Sequence, residues 1–155
     1  MQALNRPWGM MHYRIDGAAN APTVVFANSL GTDLRLWDAT VAQLPGIRAI
    51  RFDKRGHGLS DRGGDYDITD LADDAAALIE ATTDGPVILV GLSIGGMIAQ
   101  ALAARRPDLV RAVVLSNTAV RMGTADSWAE RIEIVEAHGI SAIADMVMER
   151  WFAPG

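Results

Sequence analysis

Gly91-Leu92-Ser93-Ile94-Gly95 is the stretch on which the reading of this chain turns. It follows Val87-Ile88-Leu89-Val90, the most apolar run in the sequence, and it opens a stretch rich in alanine and other small residues, from Ile94 to about Arg106, that Pro107 ends. A short, continuous apolar run is the pattern of a strand buried on both faces, and a run of helix formers closed by proline is a helix. The chain must therefore reverse from strand to helix within a few residues. Side chains at positions 91 and 95 would crowd that turn, and the serine between them is forced into strained backbone geometry. Its hydroxyl is then held above the sheet edge, and the Ile94 N–H at the helix start faces the place where negative charge would gather, with the helix dipole adding to the stabilisation. Two plainer readings share the pattern: Ser93 as a helix cap in a tight turn, and a phosphate cradle. The cradle is disfavoured, since no G-x-G-x-x-G and no Walker-type lysine is present. With both flanking elements in place, the pattern favours a nucleophile over a cap.

Outward from this turn the chain alternates between short β-rich runs and longer helical ones. Gly9 to Ile15 predicts an early strand or hairpin, and Thr23-Val24-Val25-Phe26-Ala27 a buried strand after Pro22. Leu34 to Leu44 has helical spacing and stops at Pro45-Gly46. Ile47 to Phe52 predicts a second buried strand ending at Asp53, and Arg55-Gly56-His57-Gly58 a turn. Thr69 or Asp70 is the expected cap of a helix running to about Ala81, with Leu71, Ala75, Leu78 and Ile79 inward. Val110 to Leu115 predicts a further strand of the kind buried on both faces, which a chain cut soon after it would leave as an exposed apolar edge, and Ser127 to Trp151 is helical with no strand. Alternation of this kind is an α/β protein: a mostly parallel sheet flanked by helices.

Composition narrows the function classes. The chain has 155 residues, 50% hydrophobic and 21% charged, enough apolar mass for a real core. Its formal net charge of -5 argues against nucleic acid as a partner. It has no cysteine, which excludes disulfides, thiolate metal sites and a cysteine nucleophile. No apolar run approaches the roughly 20 residues of a membrane span, and Met1 to Arg6 has no signal-like apolar core. A cytoplasmic protein with no membrane partner is the expectation.

Three further segments complete a pattern: Asn28-Ser29-Leu30-Gly31-Thr32 with Leu36-Trp37-Asp38, Asp53-Lys54-Arg55-Gly56-His57-Gly58, and Ser116-Asn117-Thr118-Ala119. Together with Gly91-Leu92-Ser93-Ile94-Gly95-Gly96-Met97, Trp128 to Arg131 and Glu149-Arg150-Trp151-Phe152, they make the chain resemble the N-terminal part of an α/β-hydrolase. More narrowly it resembles the 3-oxoadipate enol-lactonases of aromatic degradation by the β-ketoadipate pathway. General α/β-hydrolases usually have His-Gly where this chain has Asn28-Ser29. The resemblance implies that Ser93 is the nucleophile, that the backbone N–H groups of Leu30 and Ile94 form the oxyanion hole, and that no cofactor or metal is needed. It also implies a small lactone or ester as substrate, residues 1–120 as part of the hydrolase core, and residues 121–155 as the start of a helical lid.

The family places its acid and its histidine beyond the lid, in the order Ser, Asp or Glu, His. Neither carries over onto this sequence, so the expectation is a fragment of a longer protein, inactive alone. The chain's close on Trp151-Phe152-Ala153-Pro154-Gly155 supports that expectation. Of the histidines present, His12 precedes the nucleophile in an early strand, His138 reads as a helix C-terminal residue, and His57 is the best internal substitute although the family pattern makes it structural. Asp33, Asp38 and Asp53 read as turn and cap residues. The family's substrate carries a carboxylate, for which Arg121, Arg131 and Arg150 are candidate partners, with Trp128 and Trp151 as apolar walls. The plainer reading makes these arginines solvated helix-face residues. The rival functions are another hydrolase with the same serine apparatus (a carboxylesterase, a carbon–carbon bond hydrolase or a perhydrolase) and a non-catalytic ligand-binding protein.

Overall fold

The structure, a computed structural model, describes residues 2–152; the expected end of the second domain, Ala153-Pro154-Gly155, lies outside the described residues. Two compact units divide the chain, Met1–Val120 and Arg121–Gly155.

The first unit is an α/β sandwich. Its strands are β1 (Gln2–Arg6), β2 (Gly9–Asp16), β3 (Thr23–Ala27), β4 (Arg48–Phe52), β5 (Val87–Leu92) and β6 (Val110–Ser116), in the sheet order β1-β2-β4-β3-β5-β6. The β1–β2 hairpin is antiparallel and β2 runs antiparallel to β4, while β3, β4, β5 and β6 are mutually parallel. The helices are α1 (Asp38–Ala42), α2 (Ile68–Thr82) and α3 (Ile94–Arg105).

Period-two alternation sorts the strand residues onto two faces. Val25 and Ala27 of β3, Ile50 and Phe52 of β4, and Val87 and Leu89 of β5 share a core with Leu71, Ala75, Leu78 and Ile79 of α2 and Ile98, Ala99 and Leu102 of α3. Val24 and Phe26 point to the other face, where Trp37 covers them with its ring 5.1 Å from that of Phe26. A buried Arg51 pairs there with Asp16 and Asp38.

Two expectations are corrected and a third is met. The segment from Leu34 begins as a 3-10 turn, Leu34–Trp37, capped by Asp33, and becomes α-helical only for Asp38–Ala42. The cap of α2 is Asp67, not Thr69 or Asp70; its side chain accepts from the Thr69 and Asp70 N–H groups, while the Asp70 carboxylate reaches back to the Asp67 N–H. Asp70 thus fills the reciprocal position of a capping box. The third is β6, the apolar edge expected of a chain cut after the lid: it is an edge strand, with Val114 50% and Leu115 47% exposed.

The second unit contains α4 (Ala125–His138), a 3-10 turn (Ile140–Ile143) and α5 (Ala144–Trp151). A Thr124–Ser127 capping box starts α4, and Gly139, at φ 78°, ends it and breaks the expected continuous helical run. Ile143 is its one buried residue among those described. Among the described residues no helix is long and apolar enough to cross a membrane.

Candidate active site

Strand order locates the site. The chain steps from β3 to β4 on one side, then returns by α2 to place β5 on the other side of β3. Such a reversal opens a crevice at the carboxyl ends of the two central strands. The segments leaving those ends are Asn28–Thr32, after β3, and the Ser93 turn, after β5. Ala27 lies opposite Gly91 in the ladder, so the two segments depart at the same level.

Ser93 caps α3 with φ 57° and ψ −119°, a conformation that L-residues rarely hold. The surroundings over-determine it. A β-carbon at Gly91 would strike the Gly95 carbonyl, one at Gly95 would strike the Ala27 carbonyl, and one at Gly96 would lie 2.7 Å from Thr118 Oγ1. The Ser93 N–H donates to Ser116 O at 3.0 Å, and its carbonyl accepts from Thr118 Oγ1 at 2.7 Å and from the Gly96 N–H at 2.9 Å. Ser93 is therefore clamped between the ends of β5 and β6 and the first turn of α3. Among the described residues the N–H groups of Leu30 and Ile94 donate to no acceptor, which leaves both available to a developing anion.

The Asn28–Thr32 loop is tied from below. The Asn28 amide donates to the Thr32 carbonyl. Lys54, 3% exposed, donates from Nζ to the Ser29 carbonyl at 2.7 Å. The Gly31 N–H donates to His57 Nε2 at 3.1 Å, and His57 Nδ1 donates to the Arg55 carbonyl at 2.8 Å. Asp53, 1% exposed, accepts from the Leu34 N–H at 2.7 Å, from the Leu59 N–H at 3.0 Å and from His12 Nδ1 at 2.8 Å. Gly58 permits this approach, since a β-carbon there would run into the Asp53 carboxylate.

Burial holds the His57 pKa below the ordinary 6.5, and the Lys54 charge lowers it further. Burial likewise pushes Lys54 down to about 7, against the pull of Asp53 and Asp33. His57 is thus neutral near pH 7 with both ring nitrogens engaged, and His12 is turned onto Asp53. Neither is placed as a base for Ser93. Sequence reasoning held His57 to be structural, with a part as internal base only as the disfavoured alternative; what it missed is the particular work as an acceptor for the loop, along with the part of Lys54. The available signal was a lysine directly after a buried strand.

In the second unit the structure brings Trp128 and Arg131 together. The guanidinium lies 5.5 Å from the ring centroid, and the indole N–H donates to the Met122 carbonyl at 2.7 Å. Arg121, Arg150 and Trp151 are exposed, and neither arginine has an ion pair among the described residues. No group of three or more metal-ligating side chains occurs among the described residues.

Comparison with known proteins agrees with this fold. Residues 22–137 match the family model of the alpha/beta hydrolase fold. The chain is 35% identical over 147 residues to 3-oxoadipate enol-lactonase 2 of Acinetobacter baylyi, covering 94% of this chain and 55% of that protein. The crystal structure of an enol-lactonase from Burkholderia xenovorans superposes with a TM-score of 0.93 at 40% identity, over 98% of this chain and 60% of that one. A hydrolase from Pseudomonas aeruginosa gives 0.93 at 36% identity, over 99% and 59%. The chain thus spans about 55% of the length of the curated enol-lactonases it matches. On its topology, its strained serine turn and these matches, it belongs to the alpha/beta hydrolase fold family.

Proposed function

We propose that the chain carries the nucleophile and oxyanion hole of a serine hydrolase of the 3-oxoadipate enol-lactonase kind. The observation that carries this reading is Ser93, held at φ 57° between a strand end and a helix start, with the unengaged Leu30 and Ile94 N–H groups on the two segments flanking the crevice. Likeness to enol-lactonases over nearly the whole chain favours that substrate over the wider range of esters.

In the first step Ser93 Oγ attacks the lactone carbonyl and its proton passes to a base. The carbonyl oxygen becomes an oxyanion held by the Leu30 and Ile94 N–H groups. Collapse breaks the ring C–O bond, and the departing enol oxygen takes the proton back. Water then adds to the acyl-enzyme with the same base, releasing the acid and the free serine. The enol becomes the 3-oxo acid. This route consumes one water and needs no cofactor.

With His12 and His57 engaged elsewhere, the proposed base is the histidine that the family order of serine, acid and histidine puts beyond the lid, on polypeptide that the longer relatives have. The chain alone then hydrolyses enol-lactone at near-background rate. Substrate carboxylate recognition falls to Arg121, Arg131 or Arg150, with Trp128 and Trp151 as apolar walls.

A p-nitrophenyl phosphonate tests the nucleophile in a longer chain that supplies the base, since an unactivated serine is a weak nucleophile at neutral pH. Labelling should fall on Ser93, located by peptide mass spectrometry, and be absent in Ser93→Ala; label elsewhere ends the assignment. Enol-lactone turnover by the 155-residue chain that vanishes in Ser93→Ala would instead place a base within it.

A further inference from the structure

We propose that Lys54 is a positioning residue for the oxyanion hole, holding the Ser29 carbonyl so that the Leu30 N–H of the same peptide is aimed away from it, into the crevice beside Ser93. The inference rests on the hydrolase reading above, because it assigns a purpose to the Leu30 N–H.

The geometry is that of a single peptide plane. In a trans peptide the C=O of one residue and the N–H of the next point in opposite directions. Whatever fixes the Ser29 carbonyl therefore fixes the Leu30 N–H. That carbonyl accepts from Lys54 Nζ at 2.7 Å, from Thr32 Oγ1 at 2.9 Å and from the Thr32 N–H at 3.3 Å. One residue further on, the Gly31 N–H is fixed by His57 Nε2. Lys54 and His57 lie on one turn, so a single element grips the loop on both sides of Leu30. Asp53 anchors the start of that turn and, through the Leu34 N–H, the far end of the loop.

Charge adds to position. A cation on a carbonyl oxygen polarises the whole peptide and makes its N–H a better donor. A buried lysine is a costly way to brace a loop, since a neutral side chain could accomplish the same. Its ammonium is worth keeping if the peptide it touches must stabilise an anion. The charged and titratable groups facing Lys54 are Asp53, Asp33 and His57. The two carboxylates favour the ammonium and burial opposes it, leaving its titration near 7.

The experiment has two arms, the first on the 155-residue chain and the second on a longer chain that supplies the base. In the first, the Leu30 amide is followed by 1H–15N NMR from pH 5.5 to 9. It should shift with a midpoint near 7, and this step should be absent in Lys54→Met. His57 titrates below its ordinary 6.5 and should move Gly31 first. A Leu30 amide that is flat in the parent protein, or that shifts equally in Lys54→Met, overturns the proposal. In the second arm, phosphonate labelling of Ser93 is measured against reagent concentration. Lys54→Met should lower the limiting rate about tenfold with the half-saturating concentration unchanged, while Lys54→Arg should recover most of it; loss of a whole oxyanion donor costs about 10²–10³. Normal labelling in Lys54→Met overturns the proposal and leaves the nucleophile assignment standing. If Ser93 is not labelled in the parent, the hydrolase reading fails and the amide titration alone decides whether Lys54 controls the Leu30 peptide. Should Lys54→Met fail to fold, Lys54→Arg decides: its guanidinium does not titrate in this range, so the Leu30 step near pH 7 should vanish while labelling is kept, and a step that persists overturns the proposal.

Discussion

At Gly91, Gly95 and Gly96 a β-carbon would meet the Gly95 carbonyl, the Ala27 carbonyl and the Thr118 side chain, so close packing, mostly of backbone on backbone, sets the turn that presents Ile94. The Asn28–Thr32 loop, which presents Leu30, has one glycine, Gly31, with open space where its β-carbon would go. Side chains from another turn set that loop instead: Lys54 on the Ser29 carbonyl, His57 on the Gly31 N–H, Asp53 on the Leu34 N–H. Two proposed donors to one oxyanion are thus positioned by different physics, sterics for one and buried electrostatics for the other. The steric turn should be indifferent to pH and intolerant of added volume, and the braced loop the reverse.

The largest expected effect tests the steric half. Gly95→Val places branched carbon against the Ala27 backbone, which cannot swing aside as a side chain can. Overpacking of this kind costs about 3 kcal/mol. Chemical denaturation should show that loss, and phosphonate labelling of Ser93 should fall with it. A variant that melts and reacts like the parent would mean that the turn has slack the structure does not show.

The electrostatic half predicts a pH dependence, and its sign follows from Lys54. Burial lowers its folded pKa from 10.5 to about 7. Below pH 7 folded and unfolded chains both hold the proton, so stability is flat in this term. Between about 7 and 10.5 the unfolded chain keeps a proton that the folded chain has released, and stability rises with pH. The rise should be about 2 kcal/mol between pH 7 and 9, and Lys54→Met should flatten it. A parent protein whose stability is level across that range would show that Lys54 is not buried as described, and the contrast between the two segments would lose its electrostatic side.

This contrast also explains what could be read from the sequence. Sterics leave marks in it: glycine at 91 and 95, a buried strand before and a small-residue helix after pointed to the Ser93 turn, and the apolar runs of β3, β4 and β5 were found to within a residue or two. Hydrogen bonding over long separations leaves few. Nothing local marks Lys54 as the partner of Ser29, 25 residues earlier, or His57 as the acceptor for Gly31. The cap of α2 was misplaced because three residues of one short stretch, Asp67, Thr69 and Asp70, all suit a helix start and only geometry separates the cap from its reciprocal partner. In β6 the continuous apolar run marked a strand made for burial, and hence an exposed apolar edge in a chain cut after the lid, which Val114 and Leu115 form. The second unit was least legible. Its amphipathic helices enclose little of their own surface, so periodicity located α4 and α5 but could not rank Arg121, Arg131 and Arg150.

The smallest expected effect lies at Gly31, and it separates the two mechanisms most cleanly. Its φ of 74° is in the left-handed region, where an L-side chain carries backbone strain even in open space. Gly31→Ala should therefore cost about 1 kcal/mol and no more. Gly31→Asn should cost less, because asparagine tolerates that conformation better than alanine. Both variants keep the N–H that donates to His57, so the titration of the Leu30 amide should survive in each. The comparison with Gly95→Val is direct: a β-carbon at 31 meets nothing within 4 Å, whereas any β-carbon at 95 meets the Ala27 backbone. Denaturation midpoints for the three variants, measured together, should fall in the order asparagine at 31, alanine at 31, valine at 95, from mildest to most severe. If Gly31→Ala proves as damaging as Gly95→Val, the loop is packed as tightly as the turn, and the brace supplied by Lys54 and His57 is no longer what distinguishes them.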